Sequence, residues 1–235
     1  TGPSGSGKTT LLNLIGSLSP SQIHGMLRSN GQVYLVNPAG IYFGSTAVVD
    51  VGGLYAVGGS ISKEDFLAGL DRFTGLSGDV RNDGALRGES VALVGRAVSN
   101  TGSIVSPDGF VGLVAGDQVL LQSEGSRILV EAGRTEGREV VTHGVTQSGQ
   151  IDAGGGSAVL AAGDLYSVAI TQSGQLTARE IRVQSEGAGD VVISGTLDGR
   201  TYPDEAAEET KGFSNRRRLI VENGGHNIYE ADQRI

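Results

Sequence analysis

The sequence predicts an all-β chain, wound as a right-handed parallel β-helix, with a short helical decoration and a less regular, α/β-like C-terminal appendage. Three observations lead there. Glycine supplies 39 of the 235 residues while aromatic residues make up only 5%. A core must therefore be built from Val, Ile, Leu and Ala, and the frequent Gly marks tight turns between short strands. Second, a turn-plus-apolar phrase recurs as Asn82-Asp83-Gly84-Ala85-Leu86, Asn100-Thr101-Gly102-Ser103-Ile104, Gln147-Ser148-Gly149-Gln150-Ile151 and Gln172-Ser173-Gly174-Gln175-Leu176. Its glycines stand 18, 47 and 25 residues apart. With the 47 read as two turns, one degraded, the period is about 20 to 25 residues, inside the solenoid range. Third, apolar stretches fill the intervals, such as Val91 to Val94, Val111 to Leu121 and Ala158 to Tyr166; they read as strands joined at Gly-Asp corners.

A repeat this short cannot enclose its own core, whereas stacked coils bury a continuous Val/Leu/Ala column and pair their strands along the axis. From Val80 to Arg200, roughly 20 residues per coil give about six coils and a rod of about 29 Å. A β-sandwich with Gly-rich turns is the alternative, with strands expected every 8 to 12 residues or so. Ser62-Lys63-Glu64-Asp65 offers a hydroxyl cap with a carboxylate three residues on. A helix from Ser62 to Phe73 would then lay Phe66, Leu67, Leu70 and Phe73 on the rod. Pro203 to Gly212 is a second helical candidate, and Arg218 to Glu222 reads as a strand.

Composition narrows function. With 18 Lys+Arg against 26 Asp+Glu, the net charge of -8 disfavours nucleic acid and anionic membrane surfaces. The absence of Cys excludes disulfides, thiolate zinc sites and cysteine nucleophiles. No apolar run approaches the ~18 residues of a membrane helix, and no basic, apolar, small-residue export signal opens the chain. His24, His143 and His226 have no second ligand at metal-binding spacing, so no metal site is expected.

Gly2-Pro3-Ser4-Gly5-Ser6-Gly7-Lys8-Thr9 is a full match to the phosphate-binding loop G-x-x-x-x-G-K-[ST]. Gly2, Gly5 and Gly7 would let backbone N–H groups wrap phosphates, Lys8 would neutralise them, and Thr9 would hold magnesium. Residues 1–16 resemble the start of the ATPase domain of ABC transporters. The partner motifs of that family are missing: the only Leu-Ser-Gly, at Leu76-Ser77-Gly78, runs into Asp79, and Val33 to Val36 ends in Asn37-Pro38. ATP with magnesium is expected only if this segment works by itself.

The block from Pro20 to Gly44, continuing through Asp50-Val51-Gly52-Gly53-Leu54, holds Ser29-Asn30-Gly31 as a turn and Val33 to Val36 as a strand. Asn37-Pro38-Ala39-Gly40 then forms a tight turn before the strand Ile41-Tyr42-Phe43. Pro38 fixes φ and Gly40 permits a positive one. Over residues 12–187 the chain resembles the haemagglutination activity domain of filamentous haemagglutinin-like exoproteins, the two-partner secretion domain of large bacterial surface adhesins. That resemblance implies a non-enzymatic, secreted or cell-surface module without cofactor. An outer-membrane pore would be its partner and an unidentified host or surface molecule its ligand. It also assigns Asn37, Pro38 and Gly40 to the turn recognised by the pore, Ala39 departing from the family's usual Asn.

The end of the chain, from Asp190 to Thr201 and from Arg218 to His226, resembles the last strands of an α/β-hydrolase. In that family Asp198 would orient His226 as a base. No G-x-S-x-G elbow supplies a nucleophile, and Val191 to Gly199 would equally pass as one more β-helix coil. The expected organisation is thus a phosphate-loop-like segment at 1–16, a β-helix domain at 17–189 and a hydrolase-like segment at 190–235. The leading function is a two-partner secretion module, ahead of an ATP-binding fragment and a hydrolase remnant.

Overall fold

The apolar phrases Val91 to Val94, Val111 to Ala115 and Ala158 to Ala162 are neighbouring rungs in a stack of parallel coils. The structure is a computed structural model and describes residues 10–124, 127–133, 141–199 and 218–223, with side chains described for 10–122 and 141–199. The strands in chain order are β1 (Thr10–Leu14), β2 (Ser21–Ile23), β3 (Met26–Val36), β4 (Ile41–Phe43), β5 (Val48–Val57) and β6 (Ser60–Ile61). After helix α1 (Lys63–Leu67) come β7 (Asp71–Thr74), β8 (Val80–Asn82), β9 (Ala85–Arg87), β10 (Ser90–Gly95), β11 (Val98–Asn100), β12 (Ser103–Val105) and β13 (Phe110–Ala115). There follow β14 (Gln118–Glu124), β15 (Arg127–Gly133), β16 (Val141–Gln147), β17 (Gln150–Asp152), β18 (Ser157–Ala162) and β19 (Tyr166–Gln172). The last five are β20 (Gln175–Ala178), β21 (Glu180–Ser185), β22 (Asp190–Ile193), β23 (Thr196–Gly199) and β24 (Arg218–Asn223).

Each complete coil contributes three strands, one to each of three faces. The first face is the seven-stranded parallel sheet β2-β4-β8-β11-β16-β19-β22. The second and third faces belong to one thirteen-stranded sheet, because the long strands β3 and β5 run through the corner between them. The first half of β5 pairs with β9 on the second face, and its second half pairs with β10 on the third. Aliphatic columns fill the interior: Ile41-Val80-Val98-Val145-Ile170 inside the first face and Val49-Leu86-Ile104-Ile151-Leu176 inside the second. Leu54, Val91, Val111, Ala158 and Ile181 line the third. All of these are buried, and a fully buried Val, Leu or Ile contributes about 1.5–3 kcal/mol.

The recurring glycine phrases are one corner of this stack. A Cβ added at Gly102, Gly149, Gly174 or Gly195 would fall 2.1 Å from the carbonyl oxygen of Gly84, Gly102, Gly149 or Gly174 respectively. Only residues without a side chain let successive corners approach so closely. Beside them, inside the rod, runs a buried amide ladder. Asn82 Nδ2 donates to Asn100 Oδ1 at 2.7 Å and Asn100 Nδ2 to Gln147 Oε1 at 2.7 Å. Gln172 stacks next in register on Gln147.

Three sequence expectations are corrected. The 47-residue interval is one coil, because β11 pairs directly with β16. Its surplus residues leave the rod as the antiparallel hairpin β14–β15. From Val80 to Gly199 the first face accordingly shows five rungs, β8, β11, β16, β19 and β22, where about six were expected. The helix stops at Leu67: Gly69, at φ +69°, turns the chain, and Phe73 reaches its buried position from strand β7. Of the expected helical face only Phe66 is partly buried, packed against the apolar cluster outside the rod, while Leu67 and Leu70 are exposed. Ser29-Asn30-Gly31 lies within β3, where the register shifts between Ser29 and Gln32, so it is a bulge and not a turn.

A second insertion, β6-α1-β7, leaves the coil between β5 and β8. Strand β7 pairs antiparallel with β14, so the two insertions form one four-stranded sheet, β15-β14-β7-β6, outside the rod. It covers the outward side of the third face. Tyr34, Tyr55, Val57, Val94 and Val114 are buried there against Ile61, Phe73, Val119 and Leu121. Strands apolar on both sides read as continuous hydrophobic runs, the pattern of Val91 to Val94. At the other end of the chain, β22 and β23 stack on β19 and β20, and β24 pairs parallel with β21.

Candidate functional site

Asn37-Pro38-Ala39-Gly40 forms the corner between β3 and β4. The side chain of Asn37 is fully buried and uses every polar atom. Its Nδ2 donates to Ser19 O at 3.1 Å and to Ser21 Oγ at 2.9 Å, and its Oδ1 accepts the Ala39 N–H at 2.9 Å. The last bond is an Asx turn, the local geometry that Asn favours ahead of Pro. Its backbone N–H donates to Val57 O and its carbonyl accepts from Gly40 N–H, both at 2.9 Å.

Gly40 has φ +107°, and a Cβ there would meet the Asp79 carbonyl oxygen at 2.6 Å, so conformation and space both require glycine. Gly78 seats the corner from the next coil, where an added Cβ would fall 2.3 Å from Gly40 N. Ser77 Oγ donates to Pro38 O at 2.9 Å. Pro38 itself is exposed and Ala39 half-buried. The product is a rigid two-residue tip carried on a buried asparagine, with no titratable group of its own. The adjoining segment exposes Leu14 and Leu18.

Sequence reasoning named Asn37, Pro38 and Gly40 and missed the residues that hold them: Ser19, Ser21, Ser77 and Gly78. Ser19-Pro20-Ser21, one coil earlier, was the available signal. The other named residues are not drawn to this corner. Asp198 is exposed on β23, paired in register with Thr177. Gly2, Gly5, Gly7, Lys8, Thr9 and His226 lie outside the described residues.

Charge perturbation occurs at two other places. On the outer side of the first face, Arg81 grips Asp83 through Nε and Nη2, the shorter contact being 2.7 Å, and lies over the Tyr42 ring. Tyr42 and Thr101 hydroxyls also donate to Asp83. Led by the Arg81 hydrogen bonds, these hold the Asp83 carboxyl down at about 2. Beneath the outer sheet, Tyr34 stacks on Tyr55 with centroids 4.4 Å apart and donates to Asp71 at 2.8 Å. Burial raises the Asp71 carboxyl despite that bond, lifts the Tyr34 phenol strongly and pushes Tyr55 up to about 12. Among the described residues no group of His, Asp and Glu side chains is arranged to hold a metal ion. No described helix is long and apolar enough to cross a membrane.

Comparison with known proteins gives two findings. A family model described as the TPS secretion domain matches residues 4–231. Among solved structures, the fold is similar to the crystal structure of the HMW1 secretion domain from Haemophilus influenzae. The TM-score is 0.54 at 20% sequence identity, over 83% of this chain and 71% of that one. A search of curated proteins finds no match.

Proposed function

The chain belongs to the TPS secretion domain family, and from that premise we propose that the Asn37–Gly40 corner is the tip its outer-membrane transporter reads. Membership makes the chain a two-partner secretion exoprotein module, exported with an outer-membrane transporter as partner. The finer reading is a non-enzymatic, cofactor-free rod that displays adhesive surface at the cell exterior.

The observation supporting the tip is the division of labour within it. Asn37 and Gly40 are buried and fix the backbone, while Pro38 stands in solvent. A recognised tip needs such a rigid base, because ordering a loop on binding costs free energy that preorganisation avoids. The composition supports passage through a pore: no Cys and few aromatics, with coils that pair only with their neighbours. Such a chain crosses unfolded and gains its structure coil upon coil.

The test is export of a signal-bearing chain together with its transporter. Pro38→Ala is expected to lower export while the melting temperature falls by no more than a few degrees, since Pro38 is exposed and gives up only the stiffness of its ring. Equal export of the variant and the parent would remove the tip from recognition and leave it as a corner of the rod.

A further inference from the structure

The rod and the outer sheet have separate hydrophobic clusters. One fills the inside of the coils; the other lies between the outward side of the third face and strands β6, β7 and β14. We propose that the outer sheet is a clasp that opens and closes as a unit on an intact rod. Opening uncovers an apolar strip made of Tyr34, Val36, Tyr55, Val57, Ala92 and Val94. This goes beyond family membership and does not depend on which residues the transporter reads.

Both insertions are anchored to the rod at their necks by backbone hydrogen bonds. The first leaves the rod at Gly58 and returns at Ser77-Gly78, whose N–H groups both donate to Gly58 O, at 3.1 and 2.9 Å. The loop is therefore shut at its base by backbone bonds alone. Gly58 N–H donates to Val94 O on the next coil at 2.8 Å, which fixes that base to the rod. The second insertion leaves at Gly116, whose N–H donates to Gly95 O at 3.1 Å, and re-enters at Val141, whose N–H donates to Leu165 O at 2.8 Å. Coil-to-coil pairing thus continues past both insertions without using them.

Between these necks, the strands of the outer sheet pair with one another and with no strand of the rod. Side chains hold the sheet down: Ile61, Phe73, Val119 and Leu121 in the apolar layer, and Asp71 under the Tyr34 hydroxyl. Helix α1 buries no residue completely. Gly59 and Gly75, the latter at φ +58° with open space around it, flank the moving part. Topology also sets an order. Strand β7 has only the two residues of β6 beside it until β14, two coils later, supplies Val119 opposite Phe73. The strip therefore stays uncovered while the first coils form and closes when β14 arrives.

Native-state hydrogen exchange on the full chain in low urea tests this. Amides of β6, β7, β14 and β15 are expected to exchange at least tenfold faster than those of β8, β11, β16 and β19, through one common opening. Val119→Glu is expected to raise exchange in those four strands a further tenfold and to increase binding of a hydrophobic dye, with β11, β16 and β19 unchanged. Exchange of outer sheet and rod at one shared rate in the parent chain would overturn the clasp. So would a Val119→Glu variant in which rod and sheet lose protection together.

Discussion

Asn82 Nδ2 lies 2.7 Å from Asn100 Oδ1 on the next coil, both side chains fully buried, and Asn100 passes an equal bond to Gln147. Asn82 and Asn100 each give the rung above a partner, so across these three coils register is a matter of polar matching as well as of apolar packing. Truncating the middle rung leaves the Asn82 donor and the Gln147 acceptor stranded. Asn100→Ala is expected to cost about 2–4 kcal/mol, at ~1–3 kcal/mol for each orphaned group. Urea unfolding checks this, and a loss under about 1 kcal/mol would show that water replaces the rung.

The glycine corner predicts a sharp contrast between two identical substitutions. Gly149→Ala would put a Cβ 2.1 Å from the Gly102 carbonyl oxygen, and the coils would have to separate. Overpacking of this kind costs about 3 kcal/mol or more. At Gly25 an added Cβ meets nothing within 4 Å, so Gly25→Ala is expected to stay within about 0.5 kcal/mol of the parent. Equal melting temperatures for the two variants would contradict the stacked corner.

At the β3–β4 corner, stability and recognition separate by residue. Asn37→Ala removes the acceptor of the Ala39 N–H and the donor to Ser19 O, and is expected to destabilise by about 1–3 kcal/mol. Pro38→Ala gives up only the stiffness of the ring, worth under about 1 kcal/mol. Thermal melts of the pair distinguish them; identical shifts would mean that Asn37 is not the base of the tip.

Asp71 gives the outer sheet a pH dependence of definite sign. Its folded pKa is raised above the ordinary 3.8 by burial, so the unfolded chain gives up its proton first as pH rises. Stability is then lost as pH rises from about 4 through the folded value and regained on acidification. Asp71→Asn keeps an acceptor for the Tyr34 hydroxyl without the charge, and is expected to melt higher than the parent at pH 7. The gap should shrink as pH falls toward 4. A gap independent of pH would assign the effect to packing.

The phosphate-binding-loop motif at Gly2 to Thr9 is expected to give the chain no nucleotide-dependent stability. Addition of magnesium-ATP is expected to leave the melting temperature unchanged, whereas a nucleotide held by the segment with Lys8 would raise it by linkage. A rise abolished by Lys8→Ala would restore the nucleotide-binding alternative.

Much of the rod was legible because its corner has a strict chemical demand. The phrases at Gly84, Gly102, Gly149 and Gly174 repeat since no side chain fits between stacked corners, and each brings its Asn or Gln to the same buried rung. The fifth corner, Ile193-Ser194-Gly195, carries an apolar residue in place of the amide, which blurred it into a different family's pattern. The outer sheet was not legible. Its pairing joins Phe73 to Val119 across two coils, a long-range match without local periodicity, and it stretched one coil to 47 residues so that the spacing looked like two. The unbroken apolar runs of β10, β13 and β18 were the missed sign that the third face is covered on both sides. At the tip, the turn chemistry of Asn-Pro-Ala-Gly was readable, but the seat formed by Gly78 comes from the next coil and left no trace in the adjacent sequence.

Two-partner secretion is read out by export that depends on the transporter. A signal-bearing form of the full chain, expressed with and without its cognate outer-membrane transporter, is followed into the medium. Folded, protease-resistant chain is expected in the medium only when the transporter is present. Chain retained in the periplasm despite the transporter, or reaching the medium without it, would show that this chain is not exported by two-partner secretion.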